Sequence, residues 1–230
     1  MESTQNPAEP RLRLLVTIAS YGSKNLGYLK NIIGNYQKMS FDVRIVVVSD
    51  APKNLAMDIE EIAGLPSKNP WSLPFAHKAI LADQVNSHDL FIYTEDDMAV
   101  TEEHIRNFLR ITPQLRSDEI IGYLRYEVDA AGSWSLPDFH GPFHWKPDSV
   151  RQRGKAMFAE FTNEHAGFYL LTQGQLKKII ASGGFLRAPY QGRYGLPETA
   201  ATDPYTQCGF HKVICISSPK DFLIHHLPNR

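Results

Sequence analysis

The sequence predicts an α/β protein built on a mostly parallel central sheet. The first observation is three short runs made almost entirely of apolar residues, at 12–19, 43–48 and 90–93. Runs of this kind are typical of strands that are buried on both faces, as in a parallel sheet. The second observation is a helical pattern between successive runs. Strands and helices that alternate in this way imply right-handed crossovers and parallel pairing.

The first strand leads through a short turn into a helix. After the turn at 20–23, apolar residues recur every three or four positions, which is the helical spacing. These apolar residues are Leu26, Leu29, Ile32, Ile33 and Tyr36. The second strand, at 43–48, closes on Ser49 and Asp50, and residues 54–63 are expected to form a short helix.

A proline-rich segment at 64–75 separates this part from the next helix, which is predicted at 76–85. The third strand, at 90–93, runs directly into an acidic sequence. Thr101 is predicted to cap the following helix, because its hydroxyl can accept a hydrogen bond from an N–H group of the first turn.

The second half of the chain is less regular. Strands are predicted at 120–128, 168–171 and 212–216, and helices at 173–182 and 198–209. Residues 129–157 are rich in Trp, His, Pro and Gly, and no regular structure is assigned to most of them. The glycine- and proline-rich segment 183–197 is expected to be a loop beside an active site, not a linker between domains.

Composition limits the class of protein. The 230 residues carry 24 Lys and Arg against 25 Asp and Glu, so the net charge is −1, which argues against a nucleic-acid binder. Cys208 and Cys215 alone cannot build a disulfide framework and suit a reducing compartment. No apolar run approaches the ~20 residues that a transmembrane helix needs. We therefore expect a cytoplasmic protein with no transmembrane segment.

An acidic triplet marks the candidate site. Glu95, Asp96 and Asp97 follow directly on the third strand. The carboxyl end of a strand in a parallel sheet is where ligands bind in α/β proteins. Three adjacent carboxylates repel one another, and a divalent cation that bridges carboxylate and phosphate oxygens relieves that repulsion.

This order of elements resembles that of the GT-A-type glycosyltransferases, whose fold is related to the Rossmann fold. The triplet corresponds to the family's DxD motif, here in the form Glu95-x-Asp97. The resemblance covers most of the chain in the order of its elements. It implies a single GT-A-like domain at 11–230, with a nucleotide-binding half at 11–112 and an acceptor half at 113–230. Residues 1–10 are polar and contain two prolines, so they are expected to be a disordered lead-in.

The resemblance also implies roles in binding the donor. The residues that would meet the nucleobase and ribose are Ala19, Ser20, Tyr21 and Asp50. Asp97 matches the carboxylate that binds Mn²⁺ or Mg²⁺, and Glu95 or Asp96 matches the one that reaches the ribose or the metal. Lys78, at the start of the helix before the third strand, is a candidate to offset the charge of the diphosphate.

A general base is expected near the start of the helix at 198–209. In inverting members of the family, an acidic residue there takes the proton from the acceptor hydroxyl. Glu198 is the first candidate, and Asp203 is the second, although Asp203 before Pro204 is also typical of a helix cap. Inversion and retention both stay open, because the family's adjacent Glu-Asp pair is absent.

Two adjacent histidines, His225 and His226, are candidates for a further metal ligand, since many GT-A enzymes place a histidine ligand near the carboxyl terminus. A neutral imidazole suits a site that also contains carboxylates and a diphosphate. Neighbouring side chains of an extended chain point to opposite sides, so at most one of the two is expected to bind the metal. The pattern does not decide which one.

Aromatic residues crowd into segment 134–145. Aromatic rings cover the apolar faces of sugars, while polar neighbours take the hydroxyls. Trp134, His144 and Trp145 are therefore candidates for acceptor binding, and the alternative is that these rings pack as core above the sheet.

Together these features predict a metal-dependent glycosyltransferase that moves a sugar from a nucleotide diphosphate sugar, a UDP-sugar, to the hydroxyl of a carbohydrate or other acceptor. One alternative is a sugar-phosphate nucleotidyltransferase, which would carry a glycine-rich first loop where residues 20–25 hold one glycine. Another is a carbohydrate-binding relative without activity, which would bind neither metal nor nucleotide. The oligomeric state is not predicted.

Overall fold

The computed structural model describes residues 11–228, so the predicted lead-in at 1–10 lies outside the described residues. The strands are β1 (Arg13–Ser20), β2 (Asp42–Ser49), β3 (Glu60–Ala63), β4 (Leu90–Glu95), β5 (Met98–Ala99), β6 (Glu119–Ile121), β7 (Leu124–Val128), β8 (Trp134–Ser135), β9 (Arg151–Arg153), β10 (Ala156–Glu160), β11 (Phe168–Thr172), β12 (His211–Cys215) and β13 (Leu223–His226). The α-helices are α1 (Leu26–Gln37), α2 (Ala76–Asp83), α3 (Glu102–Ile111), α4 (Gln173–Ala181) and α5 (Leu196–Thr206).

The central sheet has the order β11-β4-β1-β2-β3. Strands β4, β1, β2 and β3 run parallel to their neighbours, and β11 is antiparallel to β4. This confirms the predicted α/β fold with a mostly parallel sheet. The three apolar runs are its three adjacent central strands, which explains why they lack the alternation of a half-exposed strand.

Both faces of the central sheet are covered. Alternate residues of β1 enter different cores, with Leu14 packing among residues of α1 and α3, and Leu15 among residues of α2 and α4. The carboxyl ends of the strands are aligned, so that Ala19 lies beside Glu95 and Ser20 beside Ser49. The polar residues that follow β1, β2 and β4 therefore meet at one edge of the sheet.

The strands outside the central sheet form two smaller four-stranded sheets. Their orders are β6-β12-β10-β9 and β5-β13-β7-β8. The strand predicted at 120–128 is divided between them at Gly122, where a Cβ atom would overlap the side chain of Lys212. The chain can change sheets there because glycine lets the lysine stem pass against the backbone.

The helix predicted at 54–63 is wrong. Asn54 has a φ of 54°, which helical residues do not adopt, and β3 extends the central sheet beyond β2. Pairing with a neighbouring strand overrides a weak local preference, and the acidic side chains of β3 are typical of a sheet edge. The unassigned segment 129–157 contains β8, β9 and the start of β10.

The carboxyl-terminal segment is anchored as strand β13. It pairs in parallel with β7 and antiparallel with β5, the short strand that directly follows the acidic triplet. The N–H of Leu227 also donates to the backbone oxygen of Asp97 at 2.7 Å. Within residues 11–228, no helix has both the length and the apolar character needed to cross a bilayer.

Candidate functional site

A cleft of about 920 Å³ opens at the carboxyl ends of β1 and β4. It brings together seven residues that the sequence analysis singled out. They are Ala19, Tyr21, Glu95, Asp96, Asp97, Glu198 and His226. The two strand ends, the first turn of α5 and the end of β13 thus contribute to one concave surface, which is the usual setting of a small-molecule site.

Asp96 binds the turn that follows β1. The hydroxyl of Ser20 donates to one carboxylate oxygen at 2.6 Å, and the side-chain amide of Asn25 donates to the other at 2.9 Å. Burial raises the pKa of Asp96, and these two hydrogen bonds oppose the rise. The hydroxyl of Ser20, predicted to meet the nucleotide, is therefore occupied in fixing the turn.

Glu95 lies deeper, at the last position of β4. Its Oε2 is so close to Gly167 that a Cβ atom there would lie 3.0 Å away, and Gly167 has a φ of 62°. The hydroxyl of Tyr93 lies 3.4 Å from its Oε1. Burial, and then the negative charge of Asp97, raise the pKa of Glu95 to about 7.

Asp97 forms the centre of the site with His226. The Nε2 atom of His226 lies 3.4 Å from Asp97 Oδ2, and its Nδ1 atom lies 2.7 Å from Glu127 Oε1. The hydrogen bond to Asp97 raises the pKa of His226 to about 9, although burial opposes the rise. Among the residues that the structure describes, Asp97 Oδ1 is buried and has no hydrogen-bond partner.

The two histidines point to opposite sides of β13, as predicted from alternation. The ring of His225 stacks on Tyr126 with a centroid distance of 4.7 Å, and Tyr126 stacks on Trp134 at 4.4 Å. Burial, and then the charge of His226, lower the pKa of His225. Of the two, the structure brings His226 to Asp97.

The residues present can hold a divalent metal ion in part. In residues 11–228, no group of three or more His, Cys, Asp and Glu side chains is arranged to enclose one. Among the described residues Asp97 Oδ1 nevertheless has no partner, and carboxylate oxygens suit Mn²⁺ or Mg²⁺, while an imidazole that has lost its proton can add a further ligand. Such ions complete their coordination with water and phosphate oxygens, so two protein ligands fit a metal that binds together with a diphosphate.

Glu198 enters the cleft from the first turn of α5. Its Oε2 atom is buried without a hydrogen-bond partner among the described residues. A Cβ atom at position 195 would overlap this oxygen, so Gly195 makes room for it. A carboxylate oxygen that no described protein group occupies is available to accept a proton.

Lys78 and Asp203 are ion-paired in the core and do not line the cleft. Both side chains are almost fully buried, and the hydroxyl of Tyr190 donates to Asp203 Oδ1 at 2.6 Å. This differs from the expectations that Lys78 offsets diphosphate charge and that Asp203 is a base or a helix cap. Side chains sealed in the core cannot contact a ligand in the cleft.

Asp50 fixes the first turn from the other side. Its Oδ1 accepts hydrogen bonds from the N–H of Gly22 at 2.9 Å and from Lys53 Nζ at 2.8 Å. Burial acts to raise the pKa of Asp50, but these bonds outweigh it and the pKa lies below its usual value. Tyr21, in the same turn, exposes its ring to the cleft.

The three aromatic candidates for acceptor binding do not line the cleft. Trp134 ends the stack with Tyr126, on the side of the small sheet opposite His226. Trp145 packs edge-on against Phe139, and the N–H of His144 donates to Thr162. Their part in acceptor binding stays a prediction.

Sequence analysis missed several residues of the cleft, of which Trp71 and Arg125 are the most prominent. Trp71 lies in the 3₁₀ segment Pro70–Phe75, where its N–H donates to Asn69 Oδ1 at 3.0 Å and its ring is 65% exposed. An Asn-Pro sequence before a Trp could have signalled a capped turn. Arg125 lies in a run with no catalytic motif, so nothing local pointed to it.

No protein-family model and no curated protein sequence matches the chain. Among solved structures, residues 1–349 of TarS from S. aureus, a glycosyltransferase, match with a TM-score of 0.52 and 10% identity over 94% of this chain. This chain spans 60% of that one. A 4-diphosphocytidyl-2C-methyl-D-erythritol synthase matches with a TM-score of 0.40 and 10% identity, over 74% of this chain and 80% of the other.

The likeness to TarS shows the fold alone, because the identity is 10%. The weaker likeness to the synthase adds nothing to it. The chain has an α/β fold with a mostly parallel central sheet, as the sequence predicted, and TarS is similar to it in this fold.

Proposed function

We propose that this protein is a metal-dependent glycosyltransferase that moves a sugar from a UDP-sugar to the hydroxyl of a carbohydrate or other acceptor. One observation carries the proposal. Within residues 11–228, Asp97 holds a buried carboxylate oxygen without a partner beside His226, and Glu198, in the same cleft, holds another. A metal-binding carboxylate and a free base in one cleft are what such a transfer needs.

Asp97 and His226 would hold Mn²⁺ or Mg²⁺. Because a histidine ligand must be neutral, His226 would lose the proton that Asp97 favours when the ion binds. The bound ion would supply neutralisation of charge on the leaving diphosphate. Tyr21 would contact the nucleoside, in a turn that Asp50 and Asp96 hold rigid. The carboxylate of Glu198 would accept the proton of the acceptor hydroxyl as the hydroxyl oxygen bonds to the anomeric carbon. The bond from this carbon to the diphosphate breaks, and the nucleoside diphosphate leaves with the electron pair. Lys78 and Asp203 have no part in these steps.

The proposal is tested by UDP binding with and without Mn²⁺ in the Asp97→Asn variant. The amide keeps the size of the side chain but is a poor metal ligand. Mn²⁺-dependent UDP affinity should fall by at least ~10- to 100-fold. A loss of that size is usual when a metal ligand loses only its hydrogen-bond partner, and Asp97 is the ligand itself. Isothermal titration calorimetry measures this, and Asp118→Asn, at an exposed ion pair with Arg116, is the matched control.

If Asp97→Asn binds UDP and Mn²⁺ as the wild type does, the metal site is assigned to the wrong residue. If the wild type binds neither, the transferase proposal itself fails, and a non-catalytic carbohydrate-binding protein becomes the better hypothesis.

His226 and His225 offer a matched pair of variants on the same strand. His226→Ala should weaken Mn²⁺-dependent UDP binding by about 10- to 100-fold, because it removes the imidazole beside Asp97. His225→Ala removes a ring that stacks on Tyr126 and should leave that affinity unchanged. Equal losses in the two variants, measured by calorimetry, would mean that the pair is structural.

A further inference from the structure

Arg125 lines the cleft, and the proposed chemistry gives it no role. Side chains alternate along a strand, and His226 contacts Glu127 on the cleft side of β7 while Tyr126 stacks on the opposite side. Arg125 therefore shares the cleft side with Glu127. The two positions are about 6.6 Å apart along the strand, which is a distance that a diphosphate bound near His226 can bridge.

The guanidinium of Arg125 is held in one orientation by Asp138, which is fully buried. The backbone N–H of Arg125 donates to Asp138 Oδ2 at 2.7 Å, and the side-chain Nε donates to Oδ1 at 2.8 Å. The Nη2 atom of Arg125 also lies 2.8 Å from Oδ1. The side-chain amide of Asn163 in turn donates to the backbone oxygen of Asp138 at 3.2 Å. Arg125 is thus preorganised before any ligand enters, which reduces the entropy that binding would cost.

Part of this guanidinium remains available. Its Nη1 donates to no residue within 11–228, and the side chain is 13% exposed. Within the described chain, no carboxylate of the acidic triplet or of Glu198 lies within 4.0 Å of Arg125. A fixed fork of N–H groups with free donors matches the geometry of phosphate oxygens.

A second cation is buried close to Arg125. The Nζ atom of Lys212 donates to the backbone oxygen of His165 at 3.2 Å, and within residues 11–228 no carboxylate lies within 4.0 Å of it. The charge of Lys212 repels that of Arg125, and Asp138 attracts both. Two cations near the acidic triplet favour an anion that the carboxylates alone would repel.

We infer that Arg125 binds the diphosphate of the nucleotide and that Asp138 is its positioning residue. The inference rests on the proposed function, because it takes the ligand of the cleft to be a nucleoside diphosphate. The guanidinium would donate to phosphate oxygens through N–H groups that Asp138 does not use. This contact requires no metal ion, which separates it experimentally from Asp97 and His226.

The test is the binding of UDP, inorganic pyrophosphate and uridine by calorimetry in EDTA and in Mn²⁺. Arg125→Met should weaken UDP and pyrophosphate binding by about 10- to 100-fold in both buffers, as expected for lost hydrogen bonds to a charged group, and leave uridine binding unchanged. Arg125→Lys keeps the charge beside Asp138 but not the fork, so it should fold and still lose part of the affinity. Arg125→Met/Asp138→Leu replaces both partners in case the single Met variant does not fold.

Lys24, an exposed lysine at the same cleft, provides the control for net charge. Lys24→Met should have a much smaller effect than Arg125→Met. Equal losses in the two variants would reduce the effect to general electrostatics and overturn the inference. Unchanged pyrophosphate and UDP binding in the folded Arg125 variants would overturn it while leaving the proposed function standing. A wild type that binds neither compound would overturn both.

Discussion

Glu198→Gln should lower the turnover of sugar transfer by about 10²–10⁴-fold, which is the usual contribution of a general base. Glutamine keeps the length and shape of the side chain but cannot accept the proton of the acceptor hydroxyl. The affinity for UDP should not change, because the substitution removes nothing that we assign to donor binding. Steady-state transfer rates and calorimetry on the same preparation measure the two quantities.

Glu103→Gln is the matched control for this prediction. Glu103 also lies in the first turn of a helix, α3, but it is exposed and does not line the cleft. The turnover of the Glu103→Gln variant should equal that of the wild type. Should Glu198→Gln retain full turnover, Glu198 is not the base, and either the reaction retains configuration or another group takes the proton.

Breaking the buried pair of Lys78 and Asp203 should destabilise the fold by about 3–5 kcal/mol, because either single substitution leaves an uncompensated charge in the core. Asp203→Asn and Lys78→Met both have this effect, and Asp203→Asn also weakens the acceptor of the Tyr190 hydroxyl. Urea unfolding followed by circular dichroism measures the free energy of unfolding. The double variant Lys78→Met/Asp203→Leu should recover much of the loss, since an apolar pair of similar volume carries no charge to desolvate.

The exposed pair of Arg44 and Glu60 supplies the comparison. Glu60→Gln should change stability by at most about 1 kcal/mol, as is usual for solvated ion pairs. A different result for Asp203→Asn would make Asp203 a candidate for the reaction again. If Asp203→Asn unfolds like the wild type but abolishes transfer, Asp203 is the base and not a structural residue.

Local patterns were sufficient for the elements that form the base of the cleft. The apolar runs of β1, β2 and β4 identify strands buried on both faces, because only such strands can omit polar positions. The acidic triplet could be placed at a strand end because chain continuity alone puts it there. Alternation likewise predicted that His225 and His226 would face opposite sides of an extended chain.

Tertiary structure decided what depends on partners distant in the sequence. Lys78 and Asp203 are 125 residues apart, and only folding makes them an ion pair in the core instead of two cleft residues. The strand predicted at 120–128 is two strands, β6 and β7, on either side of Gly122, where the side chain of Lys212, 90 residues later, packs against the backbone.

The same limit applies to His226 and Arg125. Pairing of β13 with β5 and β7 chooses His226 over His225 as the neighbour of Asp97. Arg125 lies on the cleft side of β7, and Asp138, 13 residues later, fixes the orientation of its guanidinium. Periodicity in the sequence specifies which residues share a face, whereas the partner of that face is set by long-range packing, which local spacing does not encode.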